Sequence, residues 1–194
     1  MLPLRDCKVT SPYGVKRTIN GKTSVHKGID LISESGDVEV KAIRGGVLRG
    51  NFQDPEGYGN YTSIEHTDGT RALYCHLKSF KRKPGEMIKE GEVIAIEGST
   101  GNSTGVHLHL EIRDTPYSQH NHINVADYLG IKNEYGLVQI IEEFKDGDEL
   151  VALDYLVKTG RIADKEYALK KLAVINKEKW YLIKWANDVK KLLK

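Results

Sequence analysis

Four of the seven histidines fall inside three short patterns whose spacing could support chemistry. The first is His26-Lys-Gly-Ile-Asp30. In an extended segment side chains alternate, so residues two and four apart share a face. His26, Gly28 and Asp30 then face one way, and Lys27, Ile29 and Leu31 the other. Gly28 removes a side chain from between two potential ligands. The second pattern is Val106-His-Leu-His-Leu110, where His107 and His109 point one way and Val106, Leu108 and Leu110 the other. The third is Ala72-Leu-Tyr-Cys-His76-Leu77. Alternation predicts that Ala72, Tyr74 and His76 share a face, with Cys75 on the opposite one.

Two imidazoles and a carboxylate suit Zn²⁺, which takes nitrogen and oxygen ligands in tetrahedral sites. Three protein ligands leave a fourth position for water, whose pKa the ion lowers to about 7. Histidines beyond the ligand set can act as a general base or donate to a developing oxyanion. The patterns therefore predict a hydrolytic zinc site with histidines to spare. Any one of them alone would read as ordinary strand histidines; their coincidence, each with clean face separation, carries the prediction. His66 sits at a strand end and reads as structural. His120 and His122 lie in a polar connection and read as exposed. Cys7 and Cys75 form no C-x-x-C unit, and two cysteines in 194 residues are no disulfide framework, so both read as reduced thiols.

These residues need strands to hold them. Short β-prone runs separated by turn formers fill the front of the chain: Val38–Ile43, Gly46–Arg49, Tyr61–His66, Arg71–His76, Val93–Glu97 and Val106–Arg113. Asp68-Gly69 between two alternating runs signals a hairpin. Seventeen of the 19 Gly and all 5 Pro lie at or before Gly136, while both Trp lie after it. That break predicts an antiparallel β domain followed by a small α-helical domain, with a connection over Asp114–Asn133 in which Val125–Leu129 forms a short helical turn or last strand. Leu150, Leu153, Leu156 and Val157 recur at helical spacing before Gly160. Asp164 would cap a second helix through Leu172, and Ile183, Ala186, Val189 and Leu193 would line a third.

With these residues in view, the front of the chain resembles the lysostaphin-like (LytM-type) zinc metallopeptidases that cut peptidoglycan cross-links. The resemblance runs from about Ser11 to Leu129. It rests on SPYG at Ser11–Gly14, HKGID at His26–Asp30, YCHL at Tyr74–Leu77, PGEMIKEGEVIA at Pro84–Ala95 and GSTGNSTGVHLHLEIR at Gly98–Arg113. It implies a mainly β catalytic domain of antiparallel sheets over residues 1–132, in which His26, Asp30 and His109 bind zinc. It further implies that His76 and His107 are the catalytic pair beside the metal. Members often carry a Tyr shortly before the first His; the segment Arg17–Val25 has none, and Asn20 falls in about that place. Tyr58, Tyr61 and Tyr74 are the candidate substitutes.

The rest of the composition narrows the partners. With 29 Lys+Arg against 27 Asp+Glu the formal charge is +2, which argues against a nucleic-acid binder. No run approaches the ~18–20 apolar residues of a membrane span, and the start has no signal-peptide pattern. A wall hydrolase without an export signal resembles a Gram-positive phage or prophage endolysin, made in the host cytoplasm and released to the wall. In that reading residues 133–194 form a small helical bundle that binds cell-wall polymer through Trp180, Tyr181 and Trp185; the same aromatics would also serve as a bundle core. The alternatives are a non-catalytic LytM-type protein that binds wall or activates an amidase, and a phage tail-associated component. Degenerate relatives lose ligands or the catalytic histidine, whereas all five positions are filled here.

Overall fold

The computed structural model describes residues 1–19, 21–114 and 121–137. The strands are β1 (Cys7–Ser11), β2 (Lys16–Ile19), β3 (Lys22–Val25), β4 (Ile29–Ser33), β5 (Glu39–Lys41), β6 (Gly46–Asp54), β7 (Gly59–His66), β8 (Arg71–Cys75), β9 (Ser79–Phe80), β10 (Met87–Ile88), β11 (Val93–Ile96), β12 (Leu108–Arg113), β13 (His122–Ile123) and β14 (Gly136–Leu137). Val125–Leu129 forms the short helix α1. The expected β-rich front is present, and the strand pairs are antiparallel. The three expected tail helices lie outside the described residues.

One nine-stranded sheet carries the architecture, in the order β10-β6-β7-β8-β12-β4-β1-β14, with β13 paired to β12. A three-stranded sheet, β5-β11-β9, and the β2-β3 hairpin complete the described strands. β14 pairs with β1, so the large sheet continues beyond residue 132. The Asp68-Gly69 turn joins β7 to β8 as expected, with Gly69 at φ 82°.

The registers assign every side chain of the large sheet to a face. Asp30 lies opposite His109, His109 opposite Cys75, Leu73 opposite Ser63, and Tyr61 opposite Phe52. Directly opposite residues of an antiparallel pair share a face. One face thus carries Asp30, His109, Glu111, Cys75, Tyr61 and Phe52. The alternate residues form the other: Ile29, Leu31, Leu48, Ile64, Ala72, Tyr74, Leu108, Leu110 and Ile112 are all fully buried there. Each large apolar side chain so buried contributes about 1.5–3 kcal/mol. Polar atoms on that face are satisfied: the Tyr74 hydroxyl accepts the Ile43 N–H at 3.0 Å, and the hydroxyl of Thr62, opposite Tyr74, donates to the Gly50 carbonyl at 3.0 Å.

Candidate metal centre and active site

Asp30 and His109 face each other because β4 and β12 are neighbours and their register pairs these two residues directly. His26 reaches them from the segment after β3, which the hydrogen bonds Gly14 N–H to His26 O and His26 N–H to Val15 O hold in place, both 2.9 Å. His109 Nδ1 lies 2.7 Å from Asp30 Oδ1, His26 Nε2 lies 3.1 Å from the same oxygen, and the two nitrogens are 3.0 Å apart. All three residues are buried. Gly28 is required at this point: a Cβ there would overlap the Leu110 carbonyl and stand 2.7 Å from His109 Cε1.

Whether the triangle suits a cation is decided by what holds its outer atoms. His26 Nδ1 donates to the Pro12 carbonyl at 2.8 Å, and His109 Nε2 donates to Glu111 Oε1 at 3.2 Å. With those protons outside, Nε2 of His26 and Nδ1 of His109 both turn toward the Asp30 oxygen. Without an ion the inner nitrogens share a proton with Asp30 Oδ1; once that proton leaves, two imidazole nitrogens and one carboxylate oxygen converge in the arrangement a divalent ion satisfies. A tetrahedral ion with ligands at about 2.0–2.1 Å spreads such donors to about 3.3 Å, an opening of a few tenths of an ångström from the triangle present. Burial disfavours a charged His109, but hydrogen bonds and charges from Asp30 and Glu111 prevail and raise its pKa to about 9. Burial likewise opposes a charged Asp30, yet hydrogen bonds from His109 and His26 hold it well below the usual carboxylate range. A metal therefore displaces a proton from this pocket when it binds.

Two further histidines stand at the rim. His76 follows β8 and adopts φ 63°, a left-handed conformation that costs a non-glycine residue about 1–2 kcal/mol. That twist breaks the expected alternation. Tyr74 points into the core and Cys75 lies opposite His109, so His76 does not share a face with Ala72 and Tyr74, and Cys75 occupies the site face. The left-handed turn brings the His76 ring to the same side, 4.7 Å from the His107 ring and 5.8 Å from that of His109. Its Nδ1 donates to the Thr100 carbonyl at 2.8 Å, leaving Nε2 as an acceptor. Burial, the largest influence, depresses its pKa to about 4, so the ring is neutral at pH 7. His107 Nε2 lies 3.9 Å from Asp30 Oδ1, and its Nδ1 lies 2.9 Å from the Gly105 carbonyl and 3.3 Å from Ser103 Oγ. Cys75 is fully buried, and burial raises its thiol well above the ordinary value, as it does for Cys7. Both are free, buried thiols, as expected.

The structure thus brings all five sequence-predicted residues into one cluster. It also adds residues that sequence reasoning passed over. Glu111, which carries His109, is itself fixed by Arg113 at 2.7 and 3.0 Å and by the Tyr58 hydroxyl at 2.8 Å. Burial would raise the Glu111 pKa, but His109 and Arg113 together hold it at about 2. The signal was in plain view, since the alternation that aligns His107 with His109 continues to Glu111 and Arg113. Arg17 donates to Asp30 Oδ2 at 2.6 Å; no spacing rule links a hairpin strand to that carboxylate. Thr100 is placed by close packing, for a Cβ at Gly59 would overlap its carbonyl.

Among the candidate tyrosines, Tyr74 belongs to the core and Tyr58 spends its hydroxyl on Glu111. Asn20 and His120 are outside the described residues. His66 is buried and structural as expected, its Nδ1 donating to the Gly45 carbonyl at 3.1 Å. His122 is half-buried rather than exposed, with Nδ1 2.8 Å from the Tyr13 hydroxyl.

Comparison with known proteins follows the same residues. The model of Peptidase family M23 matches residues 24–125. The DD-carboxypeptidase/endopeptidase Mpg of Neisseria meningitidis serogroup B is 40% identical over 113 residues, which is 57% of this chain and 25% of that protein. The chain thus spans about a quarter of the length of that relative. Among solved structures, the catalytic domain of lysostaphin from Staphylococcus simulans superposes with a TM-score of 0.57 at 31% identity, covering 63% of this chain and 91% of the other. The catalytic domain of the prophage-encoded M23 protein EnpA from Enterococcus faecalis, solved as its A109H mutant, gives a TM-score of 0.52 at 28% identity, with 61% and 88% covered.

Proposed function

The chain belongs to peptidase family M23, and from that premise we propose that it is a zinc-dependent endopeptidase hydrolysing peptide bonds in peptidoglycan cross-bridges or stem peptides. In this reading His26 Nε2, His109 Nδ1 and Asp30 Oδ1 hold the ion. When bound, zinc supplies a Lewis acid and an activated water. The observation that carries the proposal is the inward convergence of His26 Nε2, His109 Nδ1 and Asp30 Oδ1, with the outer atoms of the three residues already committed to Pro12, Glu111 and Arg17.

The remaining steps belong to the protein's own residues. His76, neutral and anchored through Nδ1 on Thr100, accepts a proton from the attacking water at Nε2 and returns it to the leaving amine. The His107 ring lies beside that of His76, 4.7 Å away, with Nδ1 held by the Gly105 carbonyl; in its doubly protonated form it donates from Nε2 to the oxyanion that develops on the scissile carbonyl. Tyr58 and Arg113 act through Glu111, fixing which nitrogen of His109 stays free.

The biological setting in this proposal is wall lysis of the endolysin kind, with the sheet domain, which extends past residue 132 to β14 at Gly136–Leu137, as catalyst and the remainder of the expected 133–194 segment as a wall-binding module. Similarity to a prophage-encoded M23 domain supports that setting. Mass spectrometry of fragments released from purified walls, with and without a chelator, tests the chemistry. New amino termini at cross-bridge or stem bonds are expected, lost on zinc removal and regained on its return. Undiminished cleavage after complete removal of the metal would overturn it.

A further inference from the structure

The face of the sheet that carries the metal triad does not end there. β12, β8, β7 and β6 are successive neighbours, and Tyr61 on β7 pairs directly with Phe52 on β6. Their rings stack, with centroids 4.9 Å apart and planes within 24°. Phe52 is 42% exposed although it is a large apolar side chain. Its ring lies over Gly50, where a Cβ would overlap it, so the strand itself holds the ring in place. Edge contacts continue inward: Tyr61 meets Tyr58 at 5.5 Å, and Tyr58 stacks on His109 at 6.0 Å. An unbroken aromatic path therefore runs from the metal triad to an open plate of two rings.

We infer that Phe52 and Tyr61 form a stacking plate for a pyranose ring of the glycan strand, while the attached stem peptide crosses the sheet to the metal triad. The inference rests on the peptidoglycan reading above. Aromatic rings present a flat apolar face suited to stacking, and the apolar C–H face of a sugar is flat enough to lie on it with its hydroxyls left in water. Distance selects the same occupant. Three strand steps of 4.7–4.9 Å separate His109 from Phe52, about 14 Å in all. An extended peptide covers that with about four residues, the length of a short stem between a cross-link and its sugar. An aliphatic side chain adjacent to the scissile bond would fall well short of the plate.

Two measurements on the full chain test this. The first titrates it with a peptide-free oligosaccharide of alternating N-acetylglucosamine and N-acetylmuramic acid, followed by calorimetry or NMR. Phe52→Ala is expected to weaken binding at least tenfold and Phe52→Trp to restore it. The second compares KM for a cross-linked muropeptide that keeps its sugars with KM for the same peptide stripped of them. Phe52→Ala is expected to raise the first relative to the second at least fivefold. Absent or Phe52-independent oligosaccharide binding overturns the inference, and so does an equal change in both KM values, which would make the plate a peptide subsite. If the wild-type chain binds the oligosaccharide through Phe52 yet cleaves neither substrate, the peptidase reading fails and the plate stands.

Discussion

The two faces of the large sheet are made by the same strands and do opposite work. On one, Leu108, Leu110 and Ile112 alternate into a core with no exposed surface. On the other, His109 and Glu111 of that same strand are just as buried, but every polar atom is held by a named partner. The apolar face is tolerant in kind, since any well-fitting hydrophobe will do. The polar face is tolerant of little, because each group sets the proton position of the next. Stability is thus concentrated on one side and chemical specification on the other.

The largest expected effects break the polar face. His109→Ala should lose zinc, read by metal analysis after dialysis, and with it all detectable cleavage. His107→Ala should keep zinc and lose about 10²–10⁴-fold in kcat. Equal metal loss in both variants would erase the distinction between ligand and catalyst drawn here.

The apolar face should respond in stability instead. Leu110→Ala removes a fully buried side chain and is expected to cost about 2–5 kcal/mol in denaturant unfolding. Zinc content of the fraction still folded should be unchanged. A variant that keeps its stability but loses its metal would show that the faces are not separable.

Glu97 gives a pH test of the boundary. It is 5% exposed, its carboxylate accepts the Leu108 N–H, and its Oε1 has no hydrogen-bond partner among the described residues. Burial raises its pKa from 4.5 to about 7. The folded state then holds a proton that the unfolded chain has released, so stability falls as pH rises from about 4.5 to 7 and stays reduced above. Glu97→Gln should flatten that slope, gaining up to about 3 kcal/mol at pH 8 relative to pH 4.5. An unchanged pH profile in chemical denaturation would contradict the burial argument.

The smallest effect sharpens the network behind the metal. Glu111→Gln keeps the shape of the acceptor but weakens its hold on the His109 proton, and should lower zinc affinity about 10–100-fold in a chelator competition. An affinity equal to wild type would leave Glu111 a packing residue.

Much of this division was legible in the sequence, because alternation is a strict rule inside a strand. It aligned His26 with Asp30 and His107 with His109, and it contained Glu111 and Arg113 as well. The rule failed at His76, where the strand ends at Cys75 and the backbone turns left-handed. It was silent on β2, where Lys16, Arg17 and Thr18 leave no apolar period, whereas β1, in which Cys7 and Val9 alternate with Lys8 and Thr10, obeys the rule and was passed over. The Arg17–Asp30 and His76–Thr100 bonds join residues 13 and 24 apart through tertiary folding, beyond the reach of local pattern.

The Arg17 bond also bears on which ion the site would admit. Asp30 gives Oδ2 to the guanidinium and keeps Oδ1 for the triangle, so the carboxylate cannot swing round to offer both oxygens. Calcium needs six to eight oxygen ligands and relies on bidentate carboxylates to reach them. A donor set fixed at two nitrogens and one oxygen starves it. Under the proposed zinc reading, one arginine on the β2–β3 hairpin would act as a counting device, favouring by coordination number an ion satisfied with four ligands.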